Sequence, residues 1–328
     1  MYVKNRRIIM PTIKDVAKLA GVSISTASYA LNHLPKVHPD TKKRIFEAAE
    51  TLNYYPNGIA RNLKTRKTRN VGVFIYGFAG PIFSDVLEGI RQTLQENNFN
   101  IVVSSGKSSA NLLKERQFDG AIIFDNELSD DVIINYASYG LPVYVLDRNL
   151  EGNHIYASII DNQGLVYNFI KDMIKTGYKD FGYLSGPKAA FNNNRRYEGF
   201  LAALKEAGIT NHQYYDADFT IQGGYKVGKD IIESTDRPQF IYCANDESAI
   251  GLMQALKEAN INIPKDIAIA GFDNIYLGEY MAPKLTTIGI DHHLWGKEVA
   301  GAILDILKKN KQKKIGHPQG SVIYRESC

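Results

Sequence analysis

Four side chains near the start of the chain, Ile24, Ser25, Ser28 and Tyr29, are spaced to meet the edges of base pairs. Ile24 can offer methyl contact, for example to thymine, and Tyr29 can stack or donate one hydrogen bond. They share an outward face only if the chain from Ser23 is helical, with Ala27, Ala30 and Leu31 on the buried side. The preceding residues supply what that helix needs. Ile13, Val16, Ala17 and Ala20 recur at i, i+3, i+4 and i+7, which predicts a short helix with Thr12 as its N-cap. Gly21 permits a tight turn, Val22 drops into the angle between two helices, and Ser23 can cap the second. Small residues at Ala17, Ala20, Ala27 and Ala30 let the helices cross closely. A third helical pattern over residues 39–52, with Ile45, Phe46, Ala49 and Leu52 apolar, closes a miniature core.

Spacing alone fits both a helix-turn-helix and a helical hairpin that merely packs on its own domain. Charge separates the two. Up to Arg69 the chain carries fourteen Lys and Arg against four Asp and Glu, net +10; beyond it, twenty-five against thirty-one, net −6. A basic head on an acidic body meets a polyanion through the head. Residues 55–64 form a helix-capable segment ending in the basic run 65–69, an arm more than a spacer.

Thr-Ile-Lys-Asp-Val-Ala-x-x-Ala-Gly-Val-Ser at 12–23, followed by Asn-Tyr-x-Pro-Asn-x-x-Ala-Arg-x-Leu at 53–63, resembles the lactose/galactose-repressor (LacI/GalR) family. The resemblance covers residues 11–328. It implies a small all-α helix-turn-helix domain (11–55), a hinge helix or linker (56–69), and an α/β body (70–328) of two doubly wound parallel-sheet lobes like periplasmic binding proteins. Lobe 1 is expected at about 70–174 and 291–318, lobe 2 at about 175–290 and 319–328, with three crossings between them. DNA contacts are implied at Thr12, Ile24, Ser25, Thr26, Ser28, Tyr29, Asn32, His38 and Asn57. Leu63 matches the family's minor-groove wedge, with Ala60 beside it and Arg61 or Lys64 near phosphate. Tyr29 and Ile24 depart from the family's common choices, and His38-Pro39 replaces its capping Ser.

The body reads independently as α/β. Apolar runs at 71–76, 101–104, 120–124, 142–146 and 155–160 alternate with helical patterns at 84–97 and 163–176. A second set has strands at 181–184, 240–244 and 267–272 and helices at 195–207, 224–234 and 246–259. Such runs suit parallel sheets covered on both faces. A helix at 294–309 and a strand at 322–324 find no place in that order. The segment between residues 104 and 119 is shorter than the full helix the resemblance implies there, so either that helix is truncated near 111–116 or a neighbouring strand is misassigned. The charge run 308–314 is read as solvating a helix end.

The family's motifs imply an effector site at Phe83, Arg196, Phe219, Asn245 and Asp273. Each lies just after a strand or at a helix start, the carboxyl ends where open α/β sheets bind ligands. Arginine and aspartate bracketing vicinal hydroxyls, with a ring against an aromatic, is sugar chemistry. A structural Arg196–Asp273 ion pair is the alternative. Asp161-Asn162 fits a helix cap. No catalytic or metal constellation emerges: His292 and His293 are neighbours that point apart, and neither GxxxxGK[ST] nor GxGxxG is present. An NAD-dependent enzyme is therefore disfavoured, and no cofactor is expected.

At 328 residues, 44% hydrophobic and 23% charged, the chain has the composition of a soluble protein. It shows neither a secretory signal nor a membrane-spanning run, which argues against an exported sugar-binding protein. Two cysteines, Cys243 and Cys328, exclude a disulfide framework and point to the cytoplasm. Met10-Pro11-Thr12 resembles the family's usual start, leaving Met1 and Met10 both open as translation starts. Without an apolar heptad tail, a homodimer is expected. Together these features lead to an allosteric regulator, a repressor of carbohydrate-uptake or catabolic genes. It binds a pseudo-palindromic double-stranded operator and a small sugar or sugar derivative, with a purine or nucleoside as the alternative effector.

Overall fold

Thr12 stands where the sequence places it, ahead of α1 (Ile13–Leu19). Its backbone N–H and its hydroxyl both donate to Asp15 Oδ2 at 2.8 Å. Those two bonds hold the Asp15 carboxyl below the usual range. Gly21 takes φ +63° at the turn, and Ser23 Oγ accepts the Thr26 N–H at 3.1 Å to start α2 (Ile24–Leu31). Pro39 opens α3 (Pro39–Thr51), its fixed φ suited to a first helical residue. Val16, Ala17, Ala20, Ala27, Ala30, Leu31, Ile45, Ala48 and Ala49 form the head's core, with Phe46 and Leu52 half-buried against it. The computed structural model describes residues 11–55, 67–78, 80–310, 316 and 318–328. The chain separates into two units, residues 1–68 and 69–328.

The second unit contains two sheets. The first has strand order β2-β1-β3-β4-β5, all parallel: β1 (Asn70–Ile75), β2 (Asn100–Ser105), β3 (Gly120–Phe124), β4 (Val143–Leu146) and β5 (Ile155–Ser158). The second has order β11-β10-β9-β8-β6-β7: β6 (Phe181–Leu184), β7 (His212–Tyr215), β8 (Phe240–Cys243), β9 (Ala268–Asp273), β10 (Thr286–Ile290) and β11 (Gly320–Ile323). It is parallel except for β11, which runs antiparallel along β10. That edge position is the place the sequence left open for the last strand.

The helices are α4 (Pro81–Glu96), α5 (Ser109–Lys114), α6 (Asp130–Ser138), α7 (Asn162–Lys175), α8 (Phe191–Glu206), α9 (Ile221–Glu233), α10 (Asp246–Glu258) and α11 (His292–Leu307). They pack as α4 on α11, α7 on α8 and α9 on α10. In every pair a glycine brings two backbones together. A Cβ at Gly89 would lie 2.1 Å from the His293 carbonyl oxygen, at Gly199 2.3 Å from that of Gln163, and at Gly251 1.9 Å from that of Ile221.

This packing corrects the expected lobe boundary. α7 belongs to lobe 2, not lobe 1: Phe169 meets Phe240 and Tyr242 at 6.1 Å between ring centroids. The first crossing therefore falls at residues 159–161, not near 174. The chain returns at Asp291 and crosses again between α11 and β11. Helix α5 is truncated as expected and begins at Ser109. Among the described residues no helix is long and apolar enough to cross a membrane.

Candidate effector cleft and DNA-reading face

On the head, Ile24 is 47% exposed, Ser25, Asn32 and His38 are exposed, and Thr26, Ser28 and Tyr29 are half-buried. Ser23 Oγ lies 2.8 Å from both the Ser25 and Thr26 hydroxyls. Asn32 Nδ2 donates to the Ser28 carbonyl at 2.7 Å, and Lys36 Nζ sits 5.6 Å from the Tyr29 ring centroid. His38 precedes α3 without capping it; its Nδ1 is 3.5 Å from Asp40. Asn57, Ala60, Arg61, Leu63 and Lys64 lie outside the described residues.

In the body, Arg196 and Asp273 come together as both sequence readings allowed. Arg196 is 2% exposed. Its Nε donates to Asn162 Oδ1 at 2.8 Å, Nη1 to the Ala244 carbonyl at 2.5 Å, and Nη2 to Asp273 Oδ1 at a long 3.5 Å. The guanidinium lies 3.6 Å from the Phe272 ring centroid, a stacked cation–π contact. Asp161 caps α7 through the Gly164 N–H at 2.9 Å, while Asn162 serves the arginine.

Three groups that the motif reading missed complete the cluster. Asp147, buried at the end of β4, has a carboxyl raised by burial and partly lowered again by Arg196. His292 Nε2 stands 3.8 Å from Asp273 Oδ1, and neither His292 ring nitrogen has a hydrogen-bond partner in the structure. Burial pushes His292 down to about 4 and Asp273 up to about 7, Arg196 opposing the latter shift and Asp147 adding to it. Asp246 positions the loop: its carboxylate accepts the Thr287 hydroxyl at 2.6 Å and the Ile275 N–H at 2.9 Å. Asp147, Phe219, Asp273 and Asn274 all adopt positive φ, +50°, +69°, +106° and +57°.

The other three expected residues have structural partners. Asn245 Oδ1 accepts the Ser248 N–H at 3.1 Å and its Nδ2 donates to the Phe219 carbonyl at 2.9 Å, so this amide caps α10 and ties down the Phe219 loop. The Phe219 ring covers Gly186 so closely that a Cβ there would sit 2.2 Å from it. Phe83 tilts against Phe124 at 5.2 Å, and Phe124 meets Trp295 at 5.5 Å. Trp295 in turn lies 6.2 Å from His292, and its Nε1 donates to Ser158 Oγ at 2.8 Å. Aromatics from lobe 1 thus run up to a buried polar cluster that bridges the lobes. The arrangement can hold a small molecule by hydrogen bonds and ring contact. No group of three His, Cys, Asp or Glu among the described residues is placed to hold a metal ion.

Residues 12–57 match the family described as bacterial regulatory proteins, lacI family, and residues 170–328 match the periplasmic binding protein-like domain. The chain is 31% identical to the HTH-type transcriptional repressor PurR of Photobacterium profundum, over 97% of this chain and 98% of that protein. Among solved structures, a sugar-binding transcriptional regulator (LacI family) from Enterococcus faecalis is 31% identical, with TM-score 0.73, over 80% of this chain and 98% of that one. The Lac repressor dimer bound to operator and the anti-inducer ONPF shares the fold at TM-score 0.84 and 24% identity, over 97% and 98%.

Proposed function

The chain belongs to the LacI family of DNA-binding transcriptional repressors, and on that premise we propose that it acts as a homodimer whose cleft binds a neutral sugar controlling carbohydrate genes. One observation supports the sugar most directly. The buried Arg196–Asp273 pair stands 3.5 Å apart beside a His292 whose two nitrogens lack partners. Buried polar groups of this kind are normally hydrogen-bonded. A ligand with adjacent hydroxyls, each both donor and acceptor, completes the set. Asp147 and Glu247 both add like charge at Asp273, against the opposing charge of Arg196, which disfavours anionic ligands. The relatives named PurR favour the second reading, a purine or nucleoside.

On the DNA side, Ile24, Ser25, Ser28 and Tyr29 read the major groove of a pseudo-palindromic operator, and Thr12, Thr26, Asn32, His38 and Asn57 serve the backbone or the register. Leu63, with Ala60, Arg61 and Lys64, wedges the minor groove. Effector and operator are linked because the sugar prefers one lobe arrangement, an effect of about 1–3 kcal/mol in such couplings. The test is calorimetry on the full chain with neutral sugars, sugar phosphates, hypoxanthine and guanine. Operator affinity is measured with and without the best ligand. A neutral sugar should bind and shift operator affinity, and Asp273→Asn should abolish the shift. Tighter binding of a purine than of any sugar would reverse the effector assignment.

A further inference from the structure

The chain enters the body at Arg69, the first residue of the second unit. Arg69 takes φ +56°, a left-handed conformation that residues with a Cβ avoid. Two bonds hold it there. Its N–H donates to Asp119 Oδ2 at 2.9 Å, and its carbonyl accepts the Asn100 N–H at 2.8 Å. Asp119 stands just ahead of β3 and Asn100 opens β2, the two strands that flank β1. Both holders are also tied to Asn70: the Asp119 N–H donates to its carbonyl at 2.9 Å, and Asn100 Nδ2 donates to its Oδ1 at 3.0 Å. The sheet does not need the Asp119 carboxylate for its own ladder, since β1 and β3 pair from Val71 and Gly120 onward. What the carboxylate adds is a fixed direction in which the chain leaves the sheet.

We propose that Asp119 is a positioning residue for operator recognition: by fastening Arg69 it sets the half-site spacing that the protein accepts. The proposal rests on the reading of the protein as a homodimer on a pseudo-palindrome. In such a dimer the interface between the bodies fixes the distance between the two Arg69 residues, and the direction of each exit fixes where its head reaches the DNA. Magnitudes show why a fastening is needed. A free linker of n residues spreads over roughly 5–6 Å × √n, so even about five unfastened residues wander over about 12 Å, more than three base-pair steps of about 3.4 Å. A chain that loose does not choose between spacings one base pair apart. Released from Asp119, Arg69 returns to the extended or right-handed conformations, and the exit direction changes with it.

The test is a spacing series with the full chain. Its probes are the duplex recovered by binding-site selection with the parent protein and the same duplex with one or two base pairs inserted or removed at its centre. The parent should bind the selected duplex at least about tenfold tighter than any altered one, the scale of losing one matched base contact. Asp119→Ala should bind the selected duplex about three- to tenfold more weakly and bring the altered ones within about threefold of it. Asp119→Asn keeps an acceptor oxygen for the Arg69 N–H and should retain the parent's preference. Arg69→Pro, at an exposed position ahead of β1, deletes the same bond from the other side and forbids the left-handed φ; it too should lose the preference. Melting temperatures verify folding, and a mere loss of folded protein lowers all affinities together without moving their ratio. Asp119→Ala or Arg69→Pro as strict as the parent, or Asp119→Asn as lax as Asp119→Ala, would overturn the proposal while the dimer reading stands. A parent protein indifferent to spacing would overturn both.

Discussion

The outward polar residues of the head are bonded to sequence neighbours: Ser23 to Ser25 and Thr26, Asn32 to Ser28. In the cleft, Arg196 joins residues 34, 48 and 77 positions away. Packing differs in the same sense. The head crosses its first two helices on alanines, whereas the body brings helix backbones together on glycines such as Gly89, Gly199 and Gly251. A reading face held by short-range bonds can change its side chains without disturbing the helices beneath. A binding site made of buried long-range bonds is also a fastening of the fold.

That contrast is broken most directly at Arg196. Arg196→Ala leaves Asp273 and Asp147 buried without their counter-charge and should cost about 3–5 kcal/mol in urea denaturation. A loss under about 1 kcal/mol would show that the cluster serves the ligand alone. The apparent loss of effector response in this variant would then mix two causes, which is why Asp273→Asn is the cleaner probe.

A pH titration separates the cluster's members. Burial raises Asp273 from 3.8 to about 7. Native protein therefore holds a proton that the unfolded chain releases; this contribution is complete below about pH 4 and is lost as pH rises through 7. His292 falls from 6.5 to about 4. Its unfolded form binds the extra proton, so its contribution grows from pH 4 to 6.5. The two oppose each other over most of that window. Relative to the parent protein, His292→Gln should lose stability as pH climbs from 4 to 7, and Asp273→Asn should gain it. Melting temperatures across that range check both slopes; flat differences would refute the opposed pair.

Smaller effects belong to the head. Ser23→Ala removes the cap on α2 and should cost about 1 kcal/mol. Exchanging Ile24, Ser25 and Tyr29 together should stay within about 0.5 kcal/mol of the parent stability yet change the operator consensus recovered by binding-site selection. An unaltered consensus would move the reading face elsewhere.

The same contrast governs what could be read in advance. The head was legible because caps, turn glycine and 3.6-residue spacing are local; α1 and α2 begin and end where Thr12, Gly21 and Ser23 indicate. In the body, apolar runs revealed most strands and their division into two sets, but the amphipathic α7 would suit either sheet. β7, His-Gln-Tyr-Tyr at a sheet edge, and β10, with its paired threonines, lack a continuous apolar run and went unread. Motifs pointed to Arg196 and Asp273. Asp147 and His292 join them only because separate chain crossings bring them into one buried place.

Those crossings also order the assembly of the molecule in time. The face of α4 around Gly89 is covered by α11, whose last residue is Leu307. At about 5–20 residues per second, synthesis passes from the end of α4 to the end of α11 in roughly 10–40 seconds. Throughout that interval the first lobe lacks one of its own walls while most of the second lobe is being made. The α4 backbone at Val86 and Ile90, against which Gly296 packs in the finished molecule, therefore stays uncovered by α11 for tens of seconds.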